Sequence, residues 1–158
     1  MLVLLLAGLA APALAQAPVR AKTAPRSVEF SIQREGHIVV RVVVNGQPAN
    51  LALDTGAAVT LIDQASVERL GLELEKSRGH RAIGAGAYGM EIRVSRGNSL
   101  RAGSLRLSGV TLRALDLSHA LNAISTPKLR VHGVLGADIL VRHGAIIDYN
   151  TRRVTFTK

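Results

Sequence analysis

The chain has 158 residues, 47% of them apolar but only 3% aromatic, and it contains no cysteine. That is one domain's worth of sequence with a core of Val, Leu, Ile and Ala, and it excludes disulfides, a lipoprotein anchor and thiol catalysis. The net charge of +9 comes mostly from arginines spread between Arg20 and Arg153. Without a clustered basic stripe and stacking aromatics no nucleic-acid partner is expected, and weak attraction to an anionic membrane surface is the most the charge supports.

Residues 1–15, "MLVLLLAGLAAPALA", end in the A-x-A pattern Ala13-Leu14-Ala15 and read as a secretory signal peptide. The apolar run is too short to cross a bilayer. No Lys or Arg precedes it, which departs from the usual signal pattern. Residues 16–27, "QAPVRAKTAPRS", read as a flexible leader. The folded domain is expected over 28–158, in an exported protein, periplasmic or secreted.

From Val28 onward the sequence is short β-branched runs bounded by turn residues, which predicts an all-β barrel or sandwich. Glu35-Gly36 separates a strand over 28–34 from one over 37–44. Asn45-Gly46 then turns into a strand over 49–54. After a further apolar stretch over 57–62, "DQASVERLG" predicts a short helix, with Asp63 as its N-cap and Gly71 as its stop. "SLRLSGVTLRALDL" predicts a hairpin turning at Ser108-Gly109. "GVLGADILVRHG" holds a helix-sized apolar piece, and "AIIDYNTRRVTF" predicts two strands around Asn150. "VVVNGQPANLALD" and "LRLSGVTLRALD" share the layout strand, x-Gly turn, strand, Asp, which suggests an internal duplication. On that reading the second half's counterpart of Asp54-Thr55-Gly56 is Val134-Leu135-Gly136, which carries no acid.

"GAGAYG" at 84–89 matches the dinucleotide fingerprint G-x-G-x-x-G literally. A nucleotide site needs a following helix and an acid about twenty residues on. Here "MEIRVS" alternates with the period of a strand, and after Glu91 the next acid is Asp116. The glycines therefore sit at a hairpin tip. The five histidines show no H-E-x-x-H spacing, and Ser66, Ser118 and Ser125 lie in no G-x-S-x-G elbow. No metal and no cofactor are expected.

"LALDTGAAVTLI", followed about eighty residues later by "GVLGADIL", resembles the retropepsin-type aspartic proteases, in particular the exported bacterial members. The resemblance covers roughly 28–157. It implies a closed β-barrel with a hairpin flap and one or two short helices, active as a homodimer on peptide or protein substrates. It makes Asp54 the catalytic carboxylate, supported by Thr55, Gly56 and Ala57. Thr55 would brace the partner loop across the two-fold axis, and Gly56 would bring its N–H to the carboxylates. Ile83, Gly84, Ala85, Gly86, Ala87, Tyr88 and Gly89 would form the flap over the substrate. Val134, Leu135 and Gly136 would form the structural loop before the C-terminal helix.

A single Asp-Thr-Gly fits two chains each giving one carboxylate, because such chemistry needs two acids sharing a proton. Ala57 offers no hydroxyl to stabilise the ionised acid, which implies a mildly acidic optimum. Retroviral members carry an acid at the position of Ala58 and an Arg at that of Ala137, and both are absent here. The dimer interface is then open, with Val154–Phe156 as one candidate strand. A catalytically silent dimer of the same fold, acting as a binding or assembly module, remains the alternative. Asp116 and Asp148 follow apolar strands without a Thr-Gly, and Asp138 reads as a capping or surface acid.

Overall fold

The computed structural model describes residues 26–76, 80, 81 and 91–158. Ten strands and two short helices account for most of them: β1 (Arg26–Ile32), β2 (Ile38–Val44), β3 (Gln47–Leu53), β4 (Leu61–Asp63), β5 (His80–Arg81), β6 (Glu91–Ala102), β7 (Leu105–Leu115), α1 (Ser118–Ile124), β8 (Gly133–Leu135), α2 (Ala137–Leu140), β9 (Ala145–Asp148) and β10 (Arg153–Phe156). β1 begins two residues before the expected start of the domain, since Arg26 pairs with Phe156 and Ser27 with Thr155.

Strand order closes on itself. β6, β7, β4, β8, β3 and β2 are successive neighbours, and β2 pairs back to β6, which makes a six-stranded barrel. Alternation builds its interior: on β2, Val40, Val42 and Val44 are fully buried while Arg41 between them faces solvent. Leu51, Ile62, Leu100, Leu105, Leu112, Leu135, Val154 and Phe156 are among the residues that join them in the core. Each fully buried side chain of this kind contributes about 1.5–3 kcal/mol. The β2–β3 turn closes the ring as well as turning the chain. Asn45 and Gly46 both adopt positive φ, 48° and 81°, as a two-residue hairpin of this twist requires. The Asn45 side chain accepts from Ser99 N–H and donates to Asn98 Oδ1, which fastens β2 to β6.

Three local expectations are corrected. The β6–β7 hairpin turns at Gly103-Ser104, not at Ser108-Gly109. Gly109 (φ 67°) lies inside β7, opposite the irregular register between Asn98 and Leu100, so its glycine serves a bulge that bends a long ribbon into the barrel. The segment 63–71 is not an α-helix. It opens as a 3₁₀ turn over Gln64–Ser66 and ends in turns at Gly71 (φ 61°). Asp63 caps nothing: it belongs to β4, and because β4 lies parallel to β7 its carboxylate accepts the Leu117 N–H (3.1 Å). Finally, β10 is no free strand. It lies between β1 and β9, with Val154 and Phe156 in the core, and the edge at this end of the sheet belongs to β9.

α1 was not legible in advance. It is seven residues long, has no side-chain cap, and holds its place by packing Leu121 and Ile124 on Val39, Ala52 and Val131, a second core outside the barrel wall.

Candidate active site

β3 delivers Asp54. Its last residue, Leu53, pairs with Leu135 of parallel β8, and the Asp54 N–H continues that ladder to the Leu135 carbonyl (3.1 Å). The chain then turns sharply, with Ala57 N–H reaching Asp54 O (3.3 Å). The Asp54 carboxylate accepts the Gly56 N–H at 2.8 Å. Among the described residues no side chain hydrogen-bonds it. Asp54, Thr55 and Gly56 are all exposed. A Cβ on Gly56 would stand 3.2 Å from Asp54 Oδ1, so glycine keeps the space beside the carboxylate clear.

The segment Val134-Leu135-Gly136 holds this turn from below. Ala137 N–H donates to Ala57 O (2.8 Å). Gly136 approaches so closely that a Cβ there would lie 2.5 Å from the Val59 carbonyl group and 2.9 Å from Ala57 O. Such a contact is not tolerated without moving main chain. Thr60, fully buried, completes the clasp. Its hydroxyl accepts the Gly136 N–H (3.1 Å) and donates to Asp138 Oδ1 (2.7 Å). Asp138, half-buried, accepts the Ile139 N–H in the first turn of α2 (3.0 Å) as a capping acid would, and the Thr60 hydroxyl is brought against that turn as a second partner. These bonds join the two loops where the retroviral pattern has an acid–arginine pair and this chain has Ala58 and Ala137. Sequence reading missed Thr60; the available signal was a lone hydroxyl inside the apolar run "AVTLI", since a buried hydroxyl needs a partner.

Pairing also defines the internal duplication. β3 lies parallel to β8, β4 lies parallel to β7, and β4 and β8 are antiparallel at the centre. A pseudo-two-fold between β4 and β8 therefore equates Leu51–Leu53 with Arg113–Leu115, and Leu61–Asp63 with Gly133–Leu135. The counterpart of Asp54 is Asp116, not a residue of Val134-Leu135-Gly136; that expectation confused the two parallel pairs. Asp116 accepts the Ser118 N–H (3.0 Å) as Asp54 accepts that of Gly56, and takes the Ser118 hydroxyl as well (2.7 Å). The Ser118 hydroxyl, and then its N–H, hold the Asp116 carboxyl below its ordinary pKa. Yet the two acids cannot meet. β3 and β7 run in opposite directions and stand three strand spacings apart, about 14 Å.

The sequence carries the aspartyl protease model over residues 40–139. The chain belongs to the aspartyl protease family. The retropepsin barrel recurs among solved structures. The protease of EIAV complexed with the inhibitor HBY-793 is 23% identical over 73% of this chain and 95% of that one, with a TM-score of 0.54. A retropepsin-like aspartic protease from Rickettsia conorii is 17% identical over 84% and 91% (TM-score 0.55). The retroviral protease-like domain of Ddi1 from Leishmania major is 16% identical over 76% and 87% (TM-score 0.53). No curated protein matches the chain in sequence. In this member of the family the expected flap, residues 83–89, lies outside the described residues. Its flanks are paired antiparallel, His80 with Ile92 and Arg81 with Glu91. Among the described residues no group of His, Asp and Glu is arranged to hold a metal ion.

Proposed function

We propose that the protein is an aspartic endopeptidase whose catalytic pair is Asp54 from each of two copies. The observation that carries this is the exposed Asp54 carboxylate, held by one backbone N–H, in a fold whose other strand-exit acid points to the opposite end. One chain has half of a dyad, and the fold's counterpart of Asp54, Asp116, lies at the opposite end of the barrel. Two like carboxylates at contact share a proton and titrate as a unit. The ionised member takes a proton from water, whose oxygen attacks the peptide carbonyl carbon. The protonated member gives its proton to the carbonyl oxygen. The tetrahedral species then breaks its C–N bond as the amide nitrogen gains a proton.

A joining surface is available. β9 is the edge strand at one end of the sheet, Ala-Ile-Ile-Asp, with no Lys or Pro to blunt it, and Ile146 is 57% exposed. Val141, between α2 and β9, is 72% exposed. A two-fold pairing of β9 with its copy would cover both. An extended substrate strand, read by alternating side-chain pockets, suits a cleft between two such barrels.

The deciding measurement is a peptide-library cleavage profile for wild type and Asp54→Asn, with oligomeric state measured in the same buffer. Cleavage that is lost in a folded Asp54→Asn protein and follows dimer concentration is expected. Cleavage by a proven monomer would refute the shared dyad. A folded dimer without any peptidase activity would leave the fold as a binding module.

A further inference from the structure

The outer face of β1–β3 carries a groove of about 640 Å³ that the proposed chemistry leaves unused. That volume falls within the roughly 300–1,000 Å³ range of ligand-binding clefts. Three cations reach it from three different elements: Arg41 from β2, Arg69 from the turn after β4, and Lys128 from the loop after α1. Among the described residues none of them pairs with a carboxylate. Glu29, the one acid lining the groove, is engaged by Arg153 at 2.7 Å. Arg69 is already oriented, its guanidinium donating to the Pro48 carbonyl (2.9 Å).

His132 lines the same groove. Its Nδ1 accepts the Asn50 N–H (3.0 Å), so in the neutral ring Nε2 carries the hydrogen and is the donor. Burial, then Arg69 and Arg130, hold its pKa below the ordinary value, against weaker opposing effects of the Asn50 N–H bond and Asp63. A groove with three unpaired cations and a neutral imidazole donor is complementary to carboxylates. Val39 and Leu129 add apolar lining that a free inorganic anion would not use. The site is concave, so a slender chain enters it and a flat headgroup layer does not. Asn50 and Asp54 lie four residues apart on one extended strand, about 13 Å, within reach of a single bound polypeptide.

We propose that this groove is an exosite that holds an acidic segment of the protein substrate while another part of the same substrate is presented to Asp54. The inference rests on the endopeptidase reading, but binding tests it without catalysis. In the full-length Asp54→Asn protein, a labelled Asp/Glu-rich peptide is titrated beside its Asn/Gln counterpart, inorganic phosphate and phosphatidylglycerol vesicles. The acidic peptide is expected to bind at least about tenfold more tightly than the amide peptide, weakening with salt, and to raise the pKa of His132 followed by NMR. The triple variant Arg41→Gln/Arg69→Gln/Lys128→Gln is expected to abolish that preference. The charge-matched triple Arg101→Gln/Arg106→Gln/Arg142→Gln, on exposed sites elsewhere, is expected to keep it.

Equal losses in the two triples, an unmoved His132, or groove-dependent binding of phosphate or vesicles but not of peptide would each overturn the exosite. In active protein, adding an acidic tail to a cleavable peptide should lower KM about tenfold with kcat unchanged, and the groove triple should erase the gain. An inactive protein that still binds the acidic peptide in this groove would refute the endopeptidase reading and leave the groove standing as an acidic-peptide site.

Discussion

Asp54 and Asp116 are the same position used twice. Each follows a strand that lies parallel to a short partner, and each folds its carboxylate back onto the N–H two residues on. The difference lies in what comes next. After Asp54 come Thr and Gly, and the carboxylate keeps its remaining lone pairs free. After Asp116 come Leu and Ser, the Ser118 hydroxyl occupies the carboxylate, and the chain enters α1. The turn is therefore a property of the fold. What is particular to the first half is a carboxylate left unsatisfied beside a glycine, with a buried clasp beneath it.

The sharpest way to break this comparison is to swap the acids' chemistry one at a time. Asp54→Asn is expected to lower kcat/KM by at least about 10³-fold, while Asp116→Asn leaves it essentially unchanged. Both proteins should keep the wild-type circular dichroism, and comparable losses from both would end the assignment. Next in size is the clasp. Gly136→Ala is expected to cost about 3 kcal/mol or more in a denaturant titration, whereas Gln64→Ala, at the equivalent position and exposed, should stay within about 0.5 kcal/mol.

Thr60→Val follows. It removes the hydroxyl between Gly136 N–H and Asp138 and should cost about 1–3 kcal/mol. The pseudo-two-fold equates Thr60 with His132, which likewise accepts a backbone N–H. Here the effect depends on pH. The folded-state pKa of His132 lies below its ordinary 6.5, so the unfolded chain binds the proton more readily. Stability is full above about pH 6.5 and falls as the pH drops below it. His132→Asn keeps an acceptor and cannot titrate, so its pH–stability curve should be flatter between pH 5 and 7 than that of wild type, at about the same midpoint at pH 8. The smallest effect belongs to the exposed acids. Asp116 and Asp148, whose carboxyls sit below their ordinary 3.8, lend stability above that value that is lost as the pH falls through their folded pKa. Ser118→Ala and Thr151→Ala should each move the NMR pKa of the neighbouring acid upward.

Much of this fold was legible in residue patterns, and the failures share a cause. Asn45-Gly46 encodes its own turn because the required positive φ values are local, and the Val40-Val42-Val44 alternation encodes burial because period two is local. The turn assigned to Ser108-Gly109 failed because a positive-φ glycine serves a bulge as readily as a hairpin; only the partner strand decides. The helix expected over 63–71 failed because pairing of β4 with β7 and β8 took Asp63 into a strand. The site divides in the same way. Asp54-Thr55-Gly56 could be read as a string. Thr60 and Asp138 could not be read as a pair, because they lie 78 residues apart and only the barrel brings them together.

That separation bears on how the protein is made. The loop that carries Asp54 emerges early, but the residues that clasp it, Gly133 to Asp138, emerge about eighty residues later. Closing so long a connection is entropically expensive and slow relative to local turns. During synthesis the Asp-Thr-Gly turn has sequence but no scaffold. Its geometry is set only once β8 slots between β3 and β4, late in the growth of the chain. A nascent or truncated polypeptide ending before Gly133 would carry the family's signature and lack the clasp, so the end of the chain completes the site that Asp54 begins.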